Sequence, residues 1–199
     1  MKIFGIGMNY AAHNKELNNT FLPTEPVIFS KPESALTRDG KPFFVPDFAE
    51  RFDYETEIVV RINKLGKNIA ERFAHRYYDE LTVGIDFTAR DLQGKLRSEG
   101  LPWEICKGFD GSAAIGTFVN KAELPEIQNL NFRLDIDGQT VQKGWTGDMI
   151  FSVDRIISYV SQFFTLKTGD LIFTGTPVGV GAVHENQLLE GFVEDRKLL

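Results

Sequence analysis

The sequence has a single cysteine, Cys106, which excludes an intrachain disulfide and suits a reducing compartment. No apolar run approaches the roughly 18 residues that span a bilayer, so no membrane partner is expected. The opening residues, Met1 to Tyr10, hold no apolar stretch ending in a small-residue cleavage site, and the expected location is cytoplasmic. Basic residues are not in excess: 22 Lys and Arg face 28 Asp and Glu, a net charge of −6. That argues against a nucleic-acid partner, which needs a basic face, but not against a small anion met by one local cation. Internal repeats, linkers and low-complexity tracts are missing too.

What is present is an ordinary globular composition, 42% hydrophobic and 25% charged, with 17 Phe to build a core. The 199 residues suit one domain over 1–199. Short strand signals dominate. Residues 2–6, 27–31 and 170–174 read as strands, 51–62 as one long strand, and 81–87 as a strand buried on both faces. The Asp137-Gly138 pair marks a hairpin between 132–136 and 139–142. Helical patterns cover 10–18, 69–78, 149–164 and 88–96, the last with Thr88 and Asp91 in capping-box spacing. Strands and helices do not alternate regularly, which excludes a doubly wound parallel sheet and predicts a β-rich α+β fold of several small sheets.

The segment Asp53-Tyr54-Glu55-Thr56-Glu57 carries the clearest chemistry. Read as a strand, it puts Asp53, Glu55 and Glu57 on one face, about 7 Å apart at a rise of about 3.3 Å per residue. Three like charges repel unless a divalent cation ligates them, and carboxylate oxygens suit Mg2+, Mn2+ or Ca2+; a solvated strand face is the plainer alternative. Asp86 shifts that balance, because a carboxylate ending the apolar run Leu81 to Ile85 is costly unless paired or metal-bound.

His13 and Glu16 share a helical face and can activate water, or simply sit in solvent. Lys107 follows an apolar segment and either stabilises a developing oxyanion or snorkels to the surface. The Gly-rich run Thr174 to Gly181 lacks the Gly-Lys-Ser/Thr ending of a P-loop. It fits a turn that offers backbone N–H groups and Thr176 to a carboxylate.

Taken in order, the segments Asn9 to Glu16, Phe29-Ser30-Lys31-Pro32, Tyr54-Glu55-Thr56-Glu57, Asp86 to Gln93, Trp103 to Lys107 and Thr174 to Gly181 resemble the fumarylacetoacetate hydrolase family. The compact length is most similar to its acylpyruvase and oxaloacetate decarboxylase branch. The resemblance implies that family's fold of small mixed sheets rolled together with a few short helices, a homodimer, and Mg2+ or Mn2+ bound by Glu55, Glu57 and Asp86. It implies a water-activating pair in His13 and Glu16 on a lid. Lys107, Gln93 and Arg90 would line the pocket, and Thr176 would hold a substrate carboxylate.

The expected activity is C–C cleavage of a 2,4-dioxo acid, or decarboxylation of oxaloacetate, through a pyruvate enolate. Two alternatives stand beside it: an isomerase or decarboxylase of hydroxymuconate-type dicarboxylates, and a silent protein that binds metal and 2-oxo acid without turnover. One position departs from the pattern: Met8 stands where many relatives carry Arg, which removes a cation for the distal substrate group.

Overall fold

The computed structural model describes residues 1–17, 21–38 and 40–199. The largest sheet is eight-stranded and curled. Its order is Val27–Lys31, Ile3–Gly7, Leu171–Phe173, Thr56–Ile62, Tyr78–Asp86, Ala113–Ile115 and Leu36–Thr37, with Val119–Asn120 also pairing on Tyr78–Asp86. The pairs are antiparallel except Ile3–Gly7 with Leu171–Phe173 and Leu36–Thr37 with Ala113–Ile115. A four-stranded sheet, Gln139–Trp145, Asn131–Ile136, Leu189–Val193 and Arg196–Lys197, packs beside it, and Gly181–Ala182, Phe52–Tyr54 and Thr88–Ala89 form a third. This is the mixed, β-rich α+β architecture expected. Among the described residues no helix is long and apolar enough to cross a membrane.

The two central strands explain why the site is so dry. Ile58, Val60 and Ile62 face one core with Leu81 and Val83, and Val59 faces another with Ile3 and Phe173. The helix Val153–Phe163 closes the first core with Ile156, Ile157 and Val160, all fully buried. Truncating either isoleucine to Ala would cost about 2–5 kcal/mol. A third core, of Phe52, Ile85, Phe87, Leu96 and Cys106, lies beneath the candidate site.

Several expected elements change. The 51–62 strand is two strands in different sheets, broken at Glu55. Of the 69–78 helix only Glu71–Ala74 forms, because Asn63 N–H bonds Tyr77 and Tyr78 opens the strand paired to Ile62. No capping box forms at Thr88. The residue before the Arg90–Glu99 helix is Ala89, the Thr88 hydroxyl donates to the Asp86 carbonyl, and Asp91 accepts from Glu50 N–H. The 149–164 helix starts only at Val153, capped by Ser152, because Asn9 holds the backbone of Ile150 and Phe151. The first helix is Ala11–Glu16; Asn18, its expected end, lies outside the described residues. The hairpin turns as expected, with Asp137 and Gly138 both at positive φ (51° and 76°).

Candidate active site

Glu55 sits at the break between the two sheets, Glu57 opens the long central strand, and Asp86 ends its neighbour; the ladder sets Thr56 opposite Ile85. All three carboxylates are buried, and one oxygen from each lies within 4.8 Å of the other two. Asp53 is not part of the group, contrary to the single-strand expectation. Both strand faces are covered, and Asp53 is turned onto Arg51 (2.7 Å) and Arg90 (2.8 Å).

Buried carboxylates require compensation, and it is unequal. Lys107 is 2% exposed, not snorkelling. Its ammonium donates to Glu55 Oε2, Asp86 Oδ2 and Thr88 Oγ1, each at 2.7 Å. Burial alone would lower its pKa, but Asp86 and Glu55 outweigh that and raise it. Arg90 spends its guanidinium on Asp53, on Glu55 Oε1 (2.6 Å) and on Gln93 Oε1 (2.6 Å). It therefore positions Glu55, with three of its five N–H donors engaged inside the protein. Glu55 is stabilised as an anion: burial pushes its pKa up, but Lys107, Arg90 and His13 together hold it well below the ordinary range.

Glu57 differs. Among the described residues it has no cationic partner; Oε2 accepts one hydrogen bond, from Gly175 N–H at 2.7 Å. Burial, then repulsion from Asp86 and Glu55, pushes its pKa well above the ordinary carboxylate range. One cation short, with three hard oxygen donors converging, is the electrostatic condition a divalent ion relieves, so the residues fit such an ion. Gly175 can approach because it is glycine: its φ is +100°, and a Cβ there would stand 2.7 Å from the Asn9 side chain.

Behind the triad lies Lys31, which the sequence reasoning quoted without giving it a role. Its ammonium is 2.7 Å from Asp86 Oδ1, out of line for a good hydrogen bond. It also donates to the Lys107 carbonyl and to both oxygens of Ser112, so the two lysines interlock. Burial lowers its pKa against the pull of Asp86. A lysine between an apolar strand and Pro32 was the available signal. Two amides were missed with less signal, since their partners are backbone atoms far away in the chain. Asn9 ties Phe151 to the Thr174 carbonyl. Gln142 accepts from Thr56 N–H and donates to Thr176 Oγ1 and the Pro177 carbonyl.

That last contact refines Thr176. Its hydroxyl donates to the Thr56 carbonyl (3.0 Å) and accepts from Gln142 (2.9 Å). The Thr176 hydroxyl is thus committed within the protein.

The cavity is lined by the triad, Lys107, Gln93, Thr176 and His13, and farther out by Met8, Leu17, Phe29, Trp103 and Arg97. His13 is 6% exposed; its Nδ1 is 2.8 Å from Glu16 Oε2, and Glu16 Oε1 accepts from Gly179 N–H at 2.9 Å. His13 is therefore buried against the cavity, while Glu16 lies outside the lining and holds it from the exposed side. The enclosed space is about 30 Å³, room for a water and too small for an oxo acid. The helix that carries His13 is only six residues long and has no side-chain cap. The structure thus brings His13, Glu16, Glu55, Glu57, Asp86, Arg90, Gln93, Lys107 and Thr176 to one place.

Residues 2–197 match the sequence model of the fumarylacetoacetate hydrolase C-terminal domain. The oxaloacetate tautomerase FAHD1, mitochondrial, of Rattus norvegicus is 41% identical over 189 residues, covering 95% of this chain and 85% of that protein. The structure of fumarylpyruvate hydrolase from Pseudomonas aeruginosa in complex with Mn2+ and pyruvate superposes with a TM-score of 0.91 at 36% identity, covering 97% of this chain and 84% of the other. A 5-carboxymethyl-2-hydroxymuconate delta-isomerase from Mycobacterium smegmatis gives 0.86 at 30% identity, with 99% and 76% covered.

Proposed function

Because the chain belongs to the fumarylacetoacetate hydrolase family of enzymes, we propose that it is a divalent-metal-dependent enzyme of oxaloacetate-type 2-oxo acids, working at C3. The observation that carries this is the converging triad of Glu55, Glu57 and Asp86 with one ammonium, Lys107, bridging two of its members. A Mg2+ or Mn2+ ion held by the three carboxylates supplies Lewis acidity toward the carboxylate and oxo oxygens of such an acid.

The protein's own groups do the rest. Lys107 is the cation beside the triad; its three N–H donors are held by Glu55, Asp86 and Thr88, and its positive charge offsets negative charge that develops on the oxo oxygen. The Thr176 backbone N–H orients the carboxylate. His13, fixed through Nδ1 by Glu16, keeps Nε2 as the atom that exchanges a proton with the bound acid. Moving a proton on and off C3 interconverts keto and enol oxaloacetate, the reaction in the name of the 41%-identical relative. Breaking C3–C4 after the same electron withdrawal gives decarboxylation.

A second reading, hydrolysis of acylpyruvates or fumarylpyruvate, is favoured by the His13–Glu16 pair at 2.8 Å, the arrangement that activates a water. Assays of oxaloacetate tautomerisation, oxaloacetate decarboxylation, acetylpyruvate hydrolysis and fumarylpyruvate hydrolysis, side by side with Mg2+ or Mn2+, separate these. Metal-dependent turnover of oxaloacetate, lost in EDTA, is expected. No metal-dependent rate with any of them would overturn the proposal and leave a binding protein.

A further inference from the structure

The cations around the cavity are not equivalent. Lys31, Lys107 and Arg90 are each committed to carboxylates or carbonyls of the protein. Arg97 also lines the cavity, yet among the described residues its guanidinium has no hydrogen-bond, ion-pair or ring partner. It lies four residues after Gln93 on the Arg90–Glu99 helix, so both project from one face. Helical side chains lean toward the helix N-terminus, which here is the Arg90–Gln93 end beside the triad. Leu96 anchors the helix in the third core. Around Arg97 the outer cavity is apolar, with Met8, Leu17 and Trp103.

We propose that Arg97 is the specificity residue for the far end of the substrate, and that this end is a second carboxylate. The inference rests on the oxaloacetate-type reading above and names the residue that recognises the distal carboxylate of such acids. One end of the acid meets the triad, Lys107 and the Thr176 N–H; the other meets the one guanidinium whose fork is free. Planar guanidinium donors match a carboxylate in two parallel bonds. Arg97 is exposed at the mouth of the cavity, so the preference for a ligand that carries the anion comes from the charge-assisted bonds themselves.

The test is R97M and R97K against matched substrates and ligands. With oxaloacetate or fumarylpyruvate, R97M raises KM tenfold or more with a smaller change in kcat. With acetylpyruvate, which ends in a methyl group, KM moves less than threefold. R97K recovers part of the loss. Calorimetry on Mn2+-loaded protein gives the same split without turnover: R97M weakens 2-oxoglutarate, which has a distal carboxylate, and leaves pyruvate nearly unchanged. Equal effects on both classes, no effect on either, or a loss confined to Tm would overturn the role of Arg97. Inactivity of the unmodified protein toward every 2-oxo acid, with no binding of pyruvate, would instead overturn the functional proposal beneath it.

Discussion

The two ends of one cavity are built on opposite principles. At the inner end every cation has a protein partner and one carboxylate, Glu57, has no cationic partner among the described residues, only the Gly175 N–H. At the outer end there is one cation without a partner, Arg97, among apolar side chains. Buried Glu57 marks what the inner end lacks, positive charge, while exposed Arg97 offers a cation at the rim. The inner end suits chemistry shared by a whole family, while the outer end suits the choice of substrate.

The largest expected effect comes from breaking the inner end. Glu57→Gln should reduce metal-dependent turnover by about a thousandfold or more and remove Mn2+ binding measured by calorimetry, since one of three ligands is gone. The same change should stabilise the metal-free protein. Glu57 has a raised pKa in the folded state, so the fold binds the proton more tightly than the unfolded chain does. That stability is fully present below the unfolded carboxylate pKa and is lost as pH rises toward the folded one. In EDTA the unmodified protein should therefore melt lower at about pH 8 than at about pH 5.5. Glu57→Gln should flatten that slope, as should added metal. An unchanged slope would show that Glu57 is already compensated.

Next in size, Lys107→Met should lower kcat for all substrates by about a hundred- to a thousandfold, because its ammonium serves the shared inner end. An effect limited to one substrate class would place it at the outer end instead. His13→Ala sharpens the division between reactions. Hydrolysis of fumarylpyruvate should fall by about a hundredfold or more, whereas decarboxylation of oxaloacetate, which needs no attacking water, should fall less. Equal losses would contradict that split.

The smallest effect belongs to Thr176→Val. Its hydroxyl bonds Thr56 and Gln142, so the expected cost is about 1 kcal/mol in stability with little change in KM. A large rise in KM would show that the hydroxyl itself binds the substrate carboxylate.

Local chemistry made part of this legible in the chain. Asp137-Gly138 specified its hairpin because two consecutive positive φ values need such residues. The apolar run at 81–87 marked a central strand because both its faces are covered. Glu55, Glu57 and Asp86 stood out through the cost of burying acids, although the alternation argument failed at the break after Tyr54 and wrongly joined Asp53 to them.

What stayed hidden depended on distant partners. Lys31 acquires its role only when Asp86 and Ser112 fold against it, and Gln142 only when Thr176 does. The closing strands Leu189–Val193 and Arg196–Lys197 turn at Glu194, whose φ of 50° is reached without glycine, so no turn residue announced them. Arg97 looks like any surface arginine until the neighbouring cations are seen to be spent.

The most direct test of the inner end is a crystal soaked in Mn2+ and mapped at the manganese absorption edge. A single anomalous peak should lie within about 2.0–2.3 Å of oxygens from Glu55, Glu57 and Asp86. A map with no peak among these three side chains at saturating Mn2+, or with the ion bound elsewhere, would contradict the account.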